Sequence, residues 1–524
     1  MSSLLSRDRI VAPPSFNRWL VPPAALAIHL SIGMAYGFSV FWLPLSRAVG
    51  ITAPTAADWR VSTLGWMYTL FFVLLGSSAA LFGRWVEEEG PRKAGVIAAC
   101  CWGGGFFISA LGVHLHQIAL LWIGSGIIGG CGLGLGYISP VSTLVKWFPD
   151  RRGMATGMAI MGFGGGAMIG SPFADLLMNR FRTPASVGVL ETFLTLAVVY
   201  FVFMLAGAFG YRVPPTGWRP EGWTPPASAQ SASLITTAAV HVRDAHRTPA
   251  FWWLWLVLCL NVSAGIGVLG MASPMLQEIF GGALIGRADV GFTALDESQL
   301  KLVASVAAGF TALLSLFNIL GRFFWASLSD VIGRKLTYFT FFALGIVLYA
   351  ASPFAAHAGS KTLFVALFCV ILTMYGGGFA TIPAYLADLF GAQFVGAIHG
   401  RLLTAWSTAG IVGPILVNYI REAQIAAGVP REQVYDRTLY ILAAILALGF
   451  VANWAVRPVA ARWHMKPETL ASLQVRSGEP VAAGSFGIGL GGFDASTALA
   501  WLAVGAPIAW GVYVTLAKAV ALFR

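Results

Sequence analysis

Twelve long, nearly charge-free apolar runs, with a thirteenth close to the C-terminus, constrain this chain more than any other feature of its sequence. They fall near 19–46, 61–84, 94–113, 118–146, 152–178 and 190–211, then near 250–279, 301–328, 335–355, 362–388, 395–420 and 438–457, with the last at 496–522. About 20 such residues in a helix cross the roughly 30 Å hydrocarbon core of a bilayer. Only a helix or a closed barrel satisfies its backbone polar groups there, and runs of this length are expected to be spanning helices. Composition agrees: 57% of the 524 residues are hydrophobic and 10% charged, against about 45–50% and about 25% in soluble proteins. A soluble enzyme, a secreted disulfide scaffold and a nucleic-acid binder are thereby excluded. The five cysteines all lie inside apolar runs, with no C-x-x-C among them, and read as small buried hydrophobes. The polar N-terminus lacks a cleavable apolar core, so the first run is expected to stay as an anchor.

The runs group as six, a Pro-rich polar stretch, and six more. The expected domains are an N-terminal six-helix bundle (1–211), a cytoplasmic central linker (212–249), a C-terminal six-helix bundle (250–457), a polar linker (458–495) and an extra transmembrane helix (496–524). With the N-terminus placed in the cytoplasm, 21 Lys and Arg fall on that side, 10 on the other and 2 in the extra helix or tail. This is the bias expected for a multi-pass protein of a cell inner (plasma) membrane, and it absorbs the net charge of +11.

A shift of 243 positions superposes the two halves. Glu87 falls on Asp330, Gly90 on Gly333, Pro140 on Pro383, Gly153 and Gly157 on Gly396 and Gly400, and Gly170 on Gly413. Internal self-similarity of this kind marks a duplicated architecture. Two six-helix bundles in the same orientation, related by a parallel pseudo-twofold, describe the major facilitator fold, with a substrate site between the halves at mid-membrane. The fold class is therefore an all-α membrane protein of that fold plus a thirteenth helix. The segment Leu328-Ser329-Asp330-Val331-Ile332-Gly333-Arg334-Lys335 resembles the loop signature of the major facilitator superfamily, with a degenerate first copy around Glu87. Acid and basic residues at these helix ends (Glu87, Asp330, Arg334, Lys335) can pair with neighbouring helix termini as a gate.

More specifically, Gly134 to Gly153 (GLGYISPVSTLVKWFPDRRG), Asn261 to Gly267, Trp218 to Pro225, and Val395 to Trp406 resemble the oxalate/formate antiporter family. The last run, with Ala509-Trp510-Gly511-Val512, looks like a small single-helix partner of that family fused in cis.

Arg322 is the principal candidate for chemistry. It lies eight residues before Asp330, about 12 Å along the helix, near the middle of the bilayer. Arginine keeps its charge there, and a planar guanidinium offers two parallel donors to a carboxylate. The resemblance implies that an arginine at this place binds substrate carboxylate. It also implies that Trp406 stands where the family's oxalate exchanger has a lysine. One cation matches a monoanion, so a monocarboxylate is expected in place of oxalate. Tyr36, Tyr137, Tyr375 and Phe379 resemble aromatic positions lining that family's cavity; Tyr375 and Phe379, four apart, share a helix face. Asn261 and Asn318 are polar at depth and are read either as site residues or as interhelical hydrogen-bonders. His399 and Arg401 suit a gate at the inner end. His29 is read chiefly as a packing histidine, although it is able to titrate. No carboxylate sits at the centre of a run.

Gly162 to Ala167 matches G-x-G-x-x-A outside any βαβ unit and reads as close helix packing. Nothing in the sequence points to ATP, a metal site, a cofactor or catalytic residues. The expected protein is a monomeric secondary active transporter of small organic anions such as formate, lactate or pyruvate, by alternating access, as anion exchange or with protons. It is not an enzyme and its partners are its substrate and the lipid bilayer. The alternatives are a true oxalate/formate antiporter and a non-transporting sensor built on a transporter fold.

Overall fold

The computed structural model describes residues 4–13, 15–51, 55–59, 61–215, 218–220, 235–236, 238–466 and 494–520. Pro225 and Pro226, most of the polar linker 458–495, and the terminal Arg524 lie outside the described residues. Within them, thirteen helices are long and apolar enough to cross a membrane. They are α1 (Arg18–Gly37), α2 (Trp66–Glu89), α3 (Pro91–His114), α4 (Ile118–Trp147), α5 (Gly153–Phe181), α6 (Val189–Gly210), α7 (Pro249–Ala272), α8 (Gly309–Ile332), α9 (Arg334–His357), α10 (Lys361–Phe390), α11 (Val395–Ala426), α12 (Arg431–Ala455) and α13 (Ala495–Ala517). The β-type pairing among the described residues is three isolated bridges. One joins Val11 to Val213 and another joins Val240 to His464, so the N-terminal segment and the end of the central linker lie on one face of the bundle. We call this the linker face.

The first apolar run is shorter as a helix than its composition predicts. The α-helix gives way at Phe38 to a 3-10 turn, Phe38–Phe41, and then to a single turn, Trp42–Leu45. Pro44 has no amide with which to continue the ladder, and the rings of Phe38 and Phe41 turn onto Phe193 at 5.9 and 4.8 Å. α4 contains a π-helical stretch, Trp122–Gly129, where the Ser125 amide also donates to Ser109 Oγ at 3.1 Å.

Packing follows the repeat. In the first half α1 packs on α5, α2 on α4, and α3 on α6; in the second, α7 packs on α11, α8 on α10, and α9 on α12. The halves meet along two seams, α2 with α11 and α5 with α8. Small residues make both seams close. A Cβ on Gly157 would stand 2.9 Å from the Arg322 carbonyl oxygen, and one on Gly83 would stand 2.9 Å from Ala397 Cα. Gly90 and Gly333, superposed by the 243-residue shift, have φ of 97° and 88°. That left-handed conformation favours glycine, and it turns the chain sharply after α2 and α8. α13 packs against α1, α5 and α8, with Val504 buried among Leu26, Ala27 and Leu30. Leu81, Phe354 and Tyr513 are more than 70% exposed, as side chains facing lipid are.

Candidate functional site

Arg322 is fully buried on α8, where it faces α5 across the seam. Its Nε donates to Asn318 Oδ1 at 2.9 Å, one turn back on the same helix, and its Nη1 donates to the Ile160 carbonyl of α5 at 3.0 Å. Among the described residues Nη2 has no partner, and no carboxylate pairs with this guanidinium. Burying an unpaired cation costs several kcal/mol, a cost that a bound anion would offset.

Aromatic rings enclose this charge. The guanidinium carbon lies 5.5 Å from the Phe379 ring centroid and 6.0 Å from that of Phe163. Trp406, fully buried on α11, has Phe379 at 4.3 Å, Tyr137 and Phe163 at 5.4 Å, Phe72 at 5.6 Å and Tyr36 at 6.1 Å. Tyr36 and Tyr375 hydroxyls approach to 3.4 Å across the two halves. Trp406 Nε1 and the Tyr137 hydroxyl are buried without partners among the described residues. These two groups and Arg322 Nη2 belong to one aromatic box, drawn from α1, α2, α4 and α5 on one side and α8, α10 and α11 on the other.

Phe72 and Phe163 belong to this box and carry no distinguishing mark as single residues. Phe163 could have been found through the repeat, since the same 243-residue shift places it on Trp406. Asn261 stands apart from Arg322: it lines a small cavity inside the second half with Gly265, Tyr349 and Tyr375.

Two junctions close the linker face, and each is the repeat image of the other. Asp330, at the end of α8, accepts from the backbone amides of Gly153 and Met154 at the start of α5 at 2.9 and 3.0 Å, and from Arg334 at 2.6 Å. Glu87, at the end of α2, accepts from the Gly396 amide at the start of α11 at 3.1 Å and from Ser142 at 2.7 Å, and pairs with Lys146. A carboxylate at a helix N-terminus meets both free N–H groups and the positive end of the dipole. Arg334 also reaches Asp388 at 3.2 Å. Lys335 instead donates to the Trp454 and Val456 carbonyls and caps α12 of its own half. Arg401 donates to the Val242 carbonyl at 2.5 Å and meets His246 Nδ1 at 2.7 Å, tying α11 to the linker. His399 lies deeper than these: it is fully buried, its ring is 5.8 Å from Tyr137, and neither nitrogen has a partner among the described residues. Among the described residues no three His, Cys, Asp or Glu side chains come together as a metal site.

Residues 15–414 match the family model described as Major Facilitator Superfamily. The chain is 24% identical over 398 residues to the oxalate:formate antiporter of Oxalobacter formigenes, covering 76% of this chain and 83% of that one. It is 28% identical over 391 residues to apicoplast pyruvate carrier 1 of Toxoplasma gondii, covering 65% and 66%. Among solved structures, the E. coli fucose:proton symporter superposes with a TM-score of 0.57 at 13% identity, covering 84% of this chain and 99% of that one.

Proposed function

The chain belongs to the Major Facilitator Superfamily, and from that premise we propose that it is a secondary transporter of small organic anions, selective for monocarboxylates such as formate, lactate or pyruvate. The observation that carries this reading is Arg322, buried between the halves with Nη2 unpartnered inside an aromatic box. A guanidinium held by Asn318 and Ile160 is pre-oriented, and binding a carboxylate there costs little reorganisation. Tyr36, Tyr137 and Tyr375 supply hydroxyls to the same anion, Trp406 and Phe379 close the far wall, and Asn261 supports Tyr375 from behind. The similarity to an oxalate:formate antiporter and to a pyruvate carrier supports carboxylate as the chemical class.

In this reading the bundles 1–211 and 250–457 rock about the site, with 212–249 as the connecting linker. Glu87 and Asp330, with Arg334 beside them, form the gate of the linker face, while Lys335 and Arg401 brace it by holding α12 and the linker. Anion exchange and proton-linked uptake both fit alternating access of a monomer. The Lys and Arg distribution supports an inner-membrane protein with its N-terminus in the cytoplasm. Residues 496–524 act as a fused single-helix partner after the linker 458–495.

A second reading, exchange of oxalate for formate, draws on the named relative; the lone arginine and the indole of Trp406 argue against it. The test is counterflow in proteoliposomes with a panel of carboxylates. At a pH above the ordinary histidine range, formate, lactate or pyruvate should exchange and oxalate should compete poorly; the reverse order there would favour the second reading.

A further inference from the structure

His29, on α1, lies behind Tyr137 and is fully buried. Its Nδ1 is 2.5 Å from the Ala159 carbonyl of α5, and its Nε2 is 3.2 Å from the Tyr137 carbonyl of α4. Carbonyl oxygens only accept, and a neutral imidazole has one N–H to give. One nitrogen of neutral His29 therefore sets its lone pair against an oxygen. Adding a proton converts that contact into a second, charge-assisted hydrogen bond. Two carbonyls on two different helices thus form a preformed cage for an imidazolium.

We propose that His29 is the proton-binding group of this carrier: it takes up a proton when a second carboxylate occupies the box, so that monocarboxylates travel without a proton and small dicarboxylates travel with one. This rests on the reading that Arg322 anchors a carboxylate. The titratable groups facing His29 are Tyr137 from α4, Arg322 from α8 and His399 from α11. α5 presents Phe163 and Ala159, while α6 presents Gly207 and α13 presents Val504 to this stretch of α1. No carboxylate is among them. In the empty carrier the positive charge of Arg322 opposes a second one nearby. A bound monoanion cancels Arg322 and leaves nothing to attract a proton. A bound dianion leaves one negative charge unpaired in a low-dielectric site, which is costly, and a proton on His29 cancels it. The loaded site is then neutral in both cases, but only the dicarboxylate needs the proton, so it is the poorer ligand wherever His29 is neutral.

The test is calorimetry on the purified full-length protein in two buffers of different ionisation enthalpy, at about pH 6.5, near the ordinary histidine value. Oxalate binding should take up close to one proton and formate binding none. Oxalate affinity should tighten by up to about tenfold per unit fall in pH through the range where free His29 is neutral, with formate affinity nearly level. His29→Gln should abolish the uptake and its slope, while His399→Gln should keep the uptake. Oxalate binding without proton uptake in the wild type, formate binding with no oxalate binding even at low pH, or uptake that disappears with His399→Gln and persists in His29→Gln, overturns the proposal. Formate binding separates this from the parent reading: if neither anion binds, the anchoring role of Arg322 falls too.

Discussion

Among single residues, Arg322 is defined by how its buried charge is held and by what surrounds it. Asn318 and the Ile160 carbonyl fix two edges of the Arg322 guanidinium and leave Nη2 for a ligand. Trp406 offers one indole N–H beside it where a lysine would offer a full charge. Trp406→Lys should therefore shift preference from monocarboxylates toward oxalate, by about tenfold or more in relative affinity for each ~1.4 kcal/mol of paired charge. Competition binding with formate, pyruvate and oxalate on wild type and variant checks this. An unchanged ratio would mean that Trp406 is only packing. Arg322 stands out in the sequence because an arginine eight residues inside an apolar helix needs either an anion or a structural partner. Phe72 and Phe163 do not, because aromatic side chains recur at the same spacing on lipid-facing and inward faces. Which face turns inward is set by the neighbouring helices. His29 was likewise ambiguous, since only the positions of the Ala159 and Tyr137 carbonyls show what its two nitrogens meet.

At the scale of helices, the two seams share one design. Glycines at 153, 157, 396 and 400 let α5 and α11 approach their partners, and the carboxylates of Asp330 and Glu87 close on the amides at the starts of those same helices. Charge-assisted hydrogen bonds of this kind contribute roughly 1.5–3 kcal/mol each. Asp330→Asn should lower the population closed on the linker face by about tenfold or more, and should slow turnover more than it changes substrate affinity. Initial exchange rates and equilibrium binding, measured on the same preparation, check this. Weakened binding with normal turnover would contradict the gating role. Glu87→Gln should act in the same direction, because its junction is the repeat image. The acid pair was readable from the 243-residue shift alone, whereas its partners on the opposite half were not, since a sequence repeat does not say which helices of different halves touch. The break in the first helix near Phe38 escaped the hydropathy pattern for a related reason: apolar residues continue through it while the backbone does not.

At the scale of the whole molecule, thirteen candidate spans and a paired packing order place the aromatic box between the halves. α13 lies against α1, α5 and α8 on the outside of that arrangement. Ending the chain after residue 466 should therefore leave substrate affinity within about twofold of wild type, a free-energy change of about 0.4 kcal/mol. A large loss of affinity would place α13 in the binding path. A C-terminal reporter should read out on the side of the membrane opposite the N-terminus, and a reporter active on the N-terminal side would show that α13 does not cross. The central claim is that Arg322 anchors a substrate carboxylate, and the direct measurement is equilibrium binding of formate and pyruvate to purified wild type, Arg322→Lys and Arg322→Ala. Lysine replaces a two-pronged donor by a point charge, and removing one partner of a buried pair costs roughly 3–5 kcal/mol. The account predicts a strong loss with lysine and near-complete loss with alanine, in protein that remains folded and membrane-inserted. Wild-type affinity in folded Arg322→Ala would contradict it.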